Sequence, residues 1–465
     1  SENSMIDKMQ KYIGKLIKNS VVEKIEIGRG VVVDYEKIEF HNLSLDQSIE
    51  IFSDRHKCKP YKINLIHSSG IENQLSVVNE LNFLHLEPEA KKEKKLLQYP
   101  LEKIKLLRRC SRCILPETFP FITFDRDGLC NYCSEYKMYS ASHSKQELCD
   151  YLSSYKKYDQ SPDVLLPISG GRDSTYTLHY VKKELGMNPI TYTYDWGMVT
   201  DLARRNIARV CGELGVENII VAADIHWKRK NIKKNIIAWL KNPELGMIPL
   251  FMSGDKYFFY YAYKIKKELN IDIEVWGINR LENTDFKTGF AGLPPEGDKK
   301  YNFSLSFMNH LKLLNFVGLN YLRSPGYFNQ SMFDTFGSFL SRYITPKNNF
   351  ISFFEYVKWD EKVINDTIIN QYGWETAVDT NSTWRIGDGT ASFYNYIYNI
   401  VSGFSEHDTF RSNQIREGMI TRKEAMEHIY SENHPRYNSL KWYLEIIGLD
   451  YNDTITKINK IPRLY

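Results

Sequence analysis

Long apolar runs are missing from this sequence. No stretch of its 465 residues offers the roughly 18 consecutive apolar side chains that a membrane span needs. An excess of one charge is missing too: 61 Lys and Arg against 57 Asp and Glu leave a formal net charge of +4. So slight a balance fits an anionic substrate such as a nucleotide, but not the strongly basic signature of a nucleic-acid binder. Cysteine is sparse, and four of the seven stand in two tight pairs, which argues against a secreted disulfide framework in a chain this long. The tail from about residue 300 has no internal repeat and no low-complexity tract. The opening "SENSMIDKMQKYIGKLIKNS" lacks the compact apolar run and cleavage site of a signal peptide. Ser1 to Ser4 are expected to be an expression remnant ahead of a native Met5, and the cytoplasm is the expected location.

The composition, 42% hydrophobic, 25% charged and 14% aromatic, describes a globular protein long enough for two or three domains. Four regions are expected: an N-terminal α+β module of unknown role (1–105), a four-cysteine knuckle (106–140), an α/β domain (150–300) and a mostly helical region (301–465). In the first region Met5, Met9, Tyr12, Ile13, Leu16 and Ile17 recur at helical spacing, and packing on this domain or a partner is favoured over a membrane surface. "RGVVVDYEKIEF" and "YKINLIHS" read as strands and "ENQLSVVNELNFL" as a helix. "AKKEKKLLQYPLEKIKLLRR" is a basic connector broken at Pro100. Beyond residue 160, "DVLLPI", "PITYTYD", "ENIIVAA" and "IDIEVWG" alternate with helices starting near Ser174, Thr200 and Gly254, which predicts a parallel sheet with crossover helices.

"CSRCILPETFPFITFDRDGLCNYC" sets Cys110 and Cys113 in one knuckle and Cys130 and Cys133 in another, sixteen residues on. A two-residue gap lets both thiolates of a knuckle reach one tetrahedral ion, and thiolates select zinc or an iron–sulfur centre. With all four positions filled by cysteine, a structural Zn²⁺ is favoured. Asp127-Gly128 is a favoured hairpin turn between the knuckles. Cys58 and Cys149 stand alone, and Cys211 reads as a small buried hydrophobe.

"DVLLPISGGRDSTYTLHYVKKELG" runs a strand through two glycines into a helix. Ligands of open parallel sheets bind at such turns, where free N–H groups and the helix dipole favour an anion. The Gly-Lys-Ser/Thr ending of a Walker A loop is absent. The "SGGRDS" stretch resembles instead the signature of the PP-loop ATP pyrophosphatases, of adenine nucleotide alpha hydrolase-like fold. That resemblance implies ATP and Mg²⁺ as cofactors, cleavage between the α and β phosphates, and an ATP-binding set of Ser169, Gly170, Gly171, Arg172, Asp173 and Ser174. Arg172 stands at the variable position and is expected to be solvated. By the same analogy Asp195, ending "TYTYD", lies near the adenosine, and Asn279, Arg280 and Glu282 in "EVWGINRLENTD" face the reacting centre, with Asp173, Asn279 and Glu282 catalytic. Asp255 and Lys256 open a helix beside the site.

Three stretches taken together narrow the choice. The knuckles form "CxxCxLPxTxPxxxFDxxGxCNYC", the loop is "SGGRDS", and the tail carries "GWETAVDTNSTWRIGDGTASFYNYIYNIVSGFSEHDTFRSNQIREGMITRKEAMEHI". From Cys110 to the C-terminus the chain resembles the N-acetyl sugar amidotransferase family of bacterial surface-polysaccharide synthesis. The resemblance implies an ATP-dependent ligase that adenylylates the acetamido oxygen of a nucleotide-linked sugar and lets ammonia displace AMP. Arg385, Arg411 and Arg416 are then candidate clamps for a sugar diphosphate, Trp384 a stacking surface, and Asp255 and Asp388 partners for the substrate. Lys423 and Glu424 read as a solvated helical face. No cysteine stands in a glutaminase setting, Cys58 in "RHKCKP" being a poor nucleophile, so ammonia is expected from a separate glutaminase subunit. A tRNA sulfurtransferase using an iron–sulfur or zinc cysteine site stays open as an alternative, as does a non-catalytic zinc-ribbon scaffold.

Overall fold

The computed structural model describes residues 22–27, 31–33, 48–53, 61–64, 87–138, 143–252, 254–282, 286–295, 306–345 and 349–465. The chain divides into two compact units, Ser1–Lys91 and Lys92–Tyr465. In the first, β1 (Val22–Ile27), β2 (Val31–Val33), β3 (Ser48–Ser53) and β4 (Tyr61–Asn64) form an antiparallel sheet of order β2-β1-β3-β4. β2 and β4 fall inside the two predicted strand stretches, whereas β1 and β3 were not anticipated. The helices expected over 5–17 and 72–84 lie outside the described residues.

The second unit is built on β5 (Val164–Pro167), β6 (Pro189–Asp195), β7 (Asn218–Ala222), β8 (Glu274–Trp276) and β9 (Phe350–Ser352). All pairings are parallel, in the order β7-β6-β5-β8-β9. Strand order reverses between β5 and β8, so the loops leaving those two strands diverge around a crevice. The first four strands match the predicted ones. β9 is a correction to the expected layout, since the fifth strand comes from beyond residue 300, and three residues, "FIS", are too few to show a strand period in sequence.

Alternation along the central strand feeds two cores. Val164 and Leu166 pack with Tyr176 and Leu178 of the loop helix (Arg172–His179) and with Ile207 and Val210 of the helix Asp201–Leu214. Leu165 faces the other way, toward Ala262 and Ile265 of the helix Tyr257–Glu268. Helices on both faces explain why β6 is buried along its whole length. Thr200 caps the Asp201–Leu214 helix by accepting from Ala203 N at 3.1 Å. The cysteine knuckle shares a third core with the helices Ile225–Lys241 and Ala391–Ser402. Asp127 and Gly128 close the predicted turn between the knuckles, with Gly128 N donating to Asp125 O at 3.2 Å.

One strand carries a titrating strain. Glu274 in β8 is buried, with Lys266 Nζ 3.8 Å away. Burial pushes its carboxyl up to about 7, against the opposing pull of Lys266. The unfolded chain ionises near 4.5, so the stabilisation from the protonated form is full below 4.5 and is lost as pH rises through 7. Thermal melts should show the native protein losing stability relative to Glu274→Gln across that window, by about 3 kcal/mol.

Candidate functional site

β5 leads into Ser169, Gly170 and Gly171. Gly170 has φ +74°, and a Cβ there would stand 2.5 Å from the Ala203 carbonyl oxygen, so only glycine lets the loop lie on the first turn of the neighbouring helix. Gly171 occupies the N-cap of the loop helix without any side-chain cap. The first-turn N–H groups are thus left to a ligand, in the arrangement that binds phosphate. Ser174 Oγ sits 3.2 Å from both Ser169 N and Ser169 Oγ, pulling two hydroxyls to the mouth of the loop. Across the crevice, a Cβ on Gly277 would lie 2.7 Å from Thr177 Oγ1, so the chain leaving β8 presses directly on the loop helix.

That approach brings Asp173 and Asn279 together. Asn279 Nδ2 donates to Asp173 Oδ2 at 3.3 Å, and Trp359 Nε1 donates to Asp173 Oδ1 at 3.0 Å. Three residues on, Glu282 accepts from Trp384 Nε1 at 2.6 Å and stands 3.8 Å from an Arg385 nitrogen. Burial pushes the Glu282 carboxyl up, Arg385 pulls it down and Asp173 adds to the rise. Arg280 points away, to Glu355 at 3.0 Å. Asp195 ends β6 with Oδ1 on Gly197 N at 2.9 Å and Oδ2 on Arg204 at 2.6 Å.

The tail closes over the loop. Thr200 N donates to Gly387 O at 3.1 Å, Gly389 N to Met198 O at 2.9 Å, and Trp374 Nε1 to Gly170 O at 3.1 Å. Asp388 accepts from Thr390 N at 2.9 Å, and burial pushes it up against Arg385. Arg385 has φ +54° and lies between Glu282 and Glu406, 3.6 Å from the latter. Lys287 was missed in the sequence: it is buried, 2.5 Å from Glu406, and 4.1 Å above the Tyr394 ring. Burial pushes its amine down, with Glu406 opposing. Only its place just after the flagged "NRLENTD" signals it. Asp255 sits just before the helix Tyr257–Glu268; burial pushes it up, Lys256 pulls it down, and Lys287 and Lys228 act on it more weakly. Acids raised and a lysine lowered around one half-buried crevice make it a candidate functional site.

Several expected surface roles are overturned by burial. Arg172 is not solvated. It is 2% exposed, bonded to Glu361 at 2.7 Å and Thr383 at 2.9 Å, and flanked by the rings of Trp359 and Phe410. Trp384 is stacked on Phe410, centroids 4.7 Å apart, inside the protein. Arg411, expected to grip a diphosphate, instead binds Glu361 at 2.5 Å and also Glu432. Arg416 faces sulfur: its Nε is 3.3 Å from Cys133 Sγ and its Nη2 3.4 Å from Cys113 Sγ. Glu424 is exposed and closes a capping box with Thr421, as a solvated helix face would.

The four cysteine sulfurs lie within 4.8 Å of one another and all four residues are buried. Sulfurs so close, without a disulfide among them, fit one tetrahedral thiophilic metal. Cys130 N donates to Cys110 Sγ at 3.3 Å, the kind of outer-shell bond that orients a thiolate ligand.

Fold and site together define a doubly wound α/β protein with a glycine loop opening an uncapped helix at its switch point. No family model and no curated protein matches the chain. Among solved structures it is similar to the NH3-dependent NAD synthetase from Campylobacter jejuni subsp. jejuni NCTC 11168 in complex with the nitrate ion, at 16% identity, 43% of this chain, 94% of that one and TM-score 0.21. The U34-tRNA thiolase NcsA from Methanococcus maripaludis with its [4Fe-4S] cluster shares 15% identity over 70% of this chain and 90% of its own, at TM-score 0.26. NMN synthetase from Francisella tularensis shares 14% over 52% and 100%, at TM-score 0.22. Scores this low carry no weight on function; the geometry of the site does.

Glu361 joins Arg172 to Arg411, and although burial raises its carboxyl, the two arginines outweigh that and hold it at about 2. Glu361→Gln leaves two buried guanidinium groups short of a carboxylate and should cost about 3 kcal/mol at neutral pH by denaturant melts. A depressed acid stabilises above its unfolded value, so the gap to the native protein should close as pH falls from 4.5 towards 2.

Proposed function

We propose that this chain is an ATP-dependent, AMP- and pyrophosphate-forming amidotransferase. The observation that carries the proposal is the uncapped glycine loop at the β5/β8 switch point, with Asp173 and Asn279 meeting across the crevice at 3.3 Å. In this reading the Ser169–Ser174 loop holds the β and γ phosphates through N–H groups and the hydroxyls of Ser169 and Ser174. Asp173 is the loop carboxylate that fits Mg²⁺, whose contribution when bound is to neutralise phosphate charge. Arg172, buried beneath the loop, supports it from behind, and Asp195 faces the adenosine side.

An amide oxygen is a poor leaving group. Attack by the acetamido oxygen on the α-phosphorus expels pyrophosphate and converts that oxygen into part of AMP. Ammonia then adds to the carbon, and AMP departs with the oxygen to leave an amidine. Glu282, raised by burial, suits the proton that the adding ammonia sheds. Asp255, Arg385 and Asp388 line the acceptor side, with Trp384, Arg411 and Arg416 bracing it from within. The acceptor is a nucleotide-linked N-acetyl sugar of surface-polysaccharide biosynthesis, and a separate glutaminase subunit supplies ammonia; both rest on the motif resemblance of residues 110–465. The cysteines hold a structural Zn²⁺. Their burial, 2% exposed at most, speaks against delivering sulfur to a substrate.

The test incubates the protein with Mg-ATP, ammonia and UDP-linked acetamido sugars. AMP, pyrophosphate and a product lighter by the difference between O and NH are expected. Asp173→Asn should lower AMP release by about 100-fold with metal content unchanged. ADP as the nucleotide product, or full turnover by Asp173→Asn, would overturn the assignment. Iron and inorganic sulfide in the cysteine centre would turn the reading toward sulfur transfer.

A further inference from the structure

An unbroken chain of hydrogen bonds joins the cysteine sulfurs to the glycine loop. Arg416, at the end of the polar helix (Glu406–Arg416), donates to Cys133 Sγ at 3.3 Å and Cys113 Sγ at 3.4 Å. Its remaining arm donates to Asn413 Oδ1 at 2.7 Å. Asn413 Nδ2 then donates to the Leu281 carbonyl at 2.9 Å. The N–H of Leu281 donates to Asn279 Oδ1 at 2.9 Å, and Asn279 Nδ2 reaches Asp173 Oδ2 at 3.3 Å. Both amides are used in one sense only. Because Arg416 occupies the oxygen of Asn413, its nitrogen must face Leu281; because Leu281 N–H occupies the oxygen of Asn279, its nitrogen must face Asp173. Arg416, Asn413, Asn279 and Asp173 are all buried, so water offers little substitute for a lost link.

We propose that the cysteine centre positions the carboxylates of the crevice. The sulfurs hold Arg416, Arg416 orients Asn413, and Asn413 pins the 279–282 segment, which sets Asn279 against Asp173 and Glu282 against Trp384. A centre of four thiolates around a divalent ion keeps net negative charge, which is what anchors the guanidinium. Arg416 and Asn413 are positioning residues and touch no substrate. The inference rests on the metal-binding reading of the cysteines; its consequence for turnover rests on the nucleotide reading of the loop.

Two indole groups report on the far end of the chain without any nucleotide: Trp359 donates to Asp173 at 3.0 Å and Trp384 to Glu282 at 2.6 Å. In the zinc-loaded full chain carrying nitrogen-labelled tryptophan, with resonances assigned by Trp→Phe replacement, Asn413→Ala should shift both indole signals and leave zinc content unchanged. Asn413→Asp keeps the acceptor for Arg416 and loses the donor to Leu281, so it should shift them likewise and serves where the alanine variant does not fold. Binding of α,β-methylene-ATP should weaken about tenfold in either. With Co²⁺ in place of zinc, Arg416→Lys should move the thiolate charge-transfer band while Asn413→Ala leaves it alone. Indole signals unmoved in a folded Asn413 variant would overturn the proposal. A native protein that binds no ATP analogue would overturn the functional reading instead, and the indole shifts would still decide this one.

Discussion

A charge taken out of water must find a partner in place, and the Glu406–Arg416 helix is built on that constraint. Every residue of "EHDTFRSNQIR" except Ile415 is buried. Glu406 meets Lys287, Asp408 meets Arg109 at 2.8 Å, Arg411 meets Glu361 and Glu432, and Arg416 meets two cysteines. Those partners come from the knuckle, from the short helix Phe286–Gly289 after β8 and from the tail. A buried pair adds little net stability, but removing one member leaves the other uncompensated at a cost of about 3–5 kcal/mol. The three regions therefore share one geometry, which the polar helix enforces.

The sheet supplies what the helix then fixes. A parallel order that reverses beside β5 opens a crevice at the strand ends, and the glycine loop lies at its floor. Gly170 against Ala203 and Gly277 against Thr177 set the loop from either side at contact distance. Neither contact chooses where Asp173 points. That choice is shared between Arg172, whose Nε donates to Asp173 Oδ1 at 3.3 Å, and Asn279 and Trp359, whose own places follow from the 279–282 turn and the tail. Orientation thus draws on distant parts of the chain that the placing of the loop does not use.

What was legible in the sequence was local. Four of the five parallel strands, the helix starts, the Asp127-Gly128 turn and the cysteine spacing each follow from a few neighbouring residues. The solvated face at Glu424 was legible for the same reason, because its capping box is complete within four residues. The polar helix was not: by hydropathy "EHDTFRSNQIR" describes an exposed helix, and only partners far along the chain bury it. Arg172 misled in the same way, since its charge gave no hint of the Glu361 carboxylate and the Trp359 and Phe410 rings that hold it at 2% exposure. Lys287 and β9 carry too few residues to make a pattern. Long-range pairing, which hydropathy cannot encode, accounts for each of these differences.

That same pairing separates the arginines near the crevice. Arg172, Arg411 and Arg416 each donate to carboxylate, hydroxyl or sulfur atoms inside the protein. Arg385 is held differently. Its carboxylate neighbours stand 3.6 and 3.8 Å away, too far for good hydrogen bonds, and its Nε is buried without one among the described residues. Its backbone, at φ +54°, is in a conformation that costs a non-glycine residue about 1 kcal/mol or more. A strained arginine kept by charge while its donors stay unspent is suited to an anion that arrives later. Glu282 and Glu406 hold the guanidinium in the crevice until then, so under the proposed amidotransferase reading this is the one of the four arginines that fits the acceptor's phosphates.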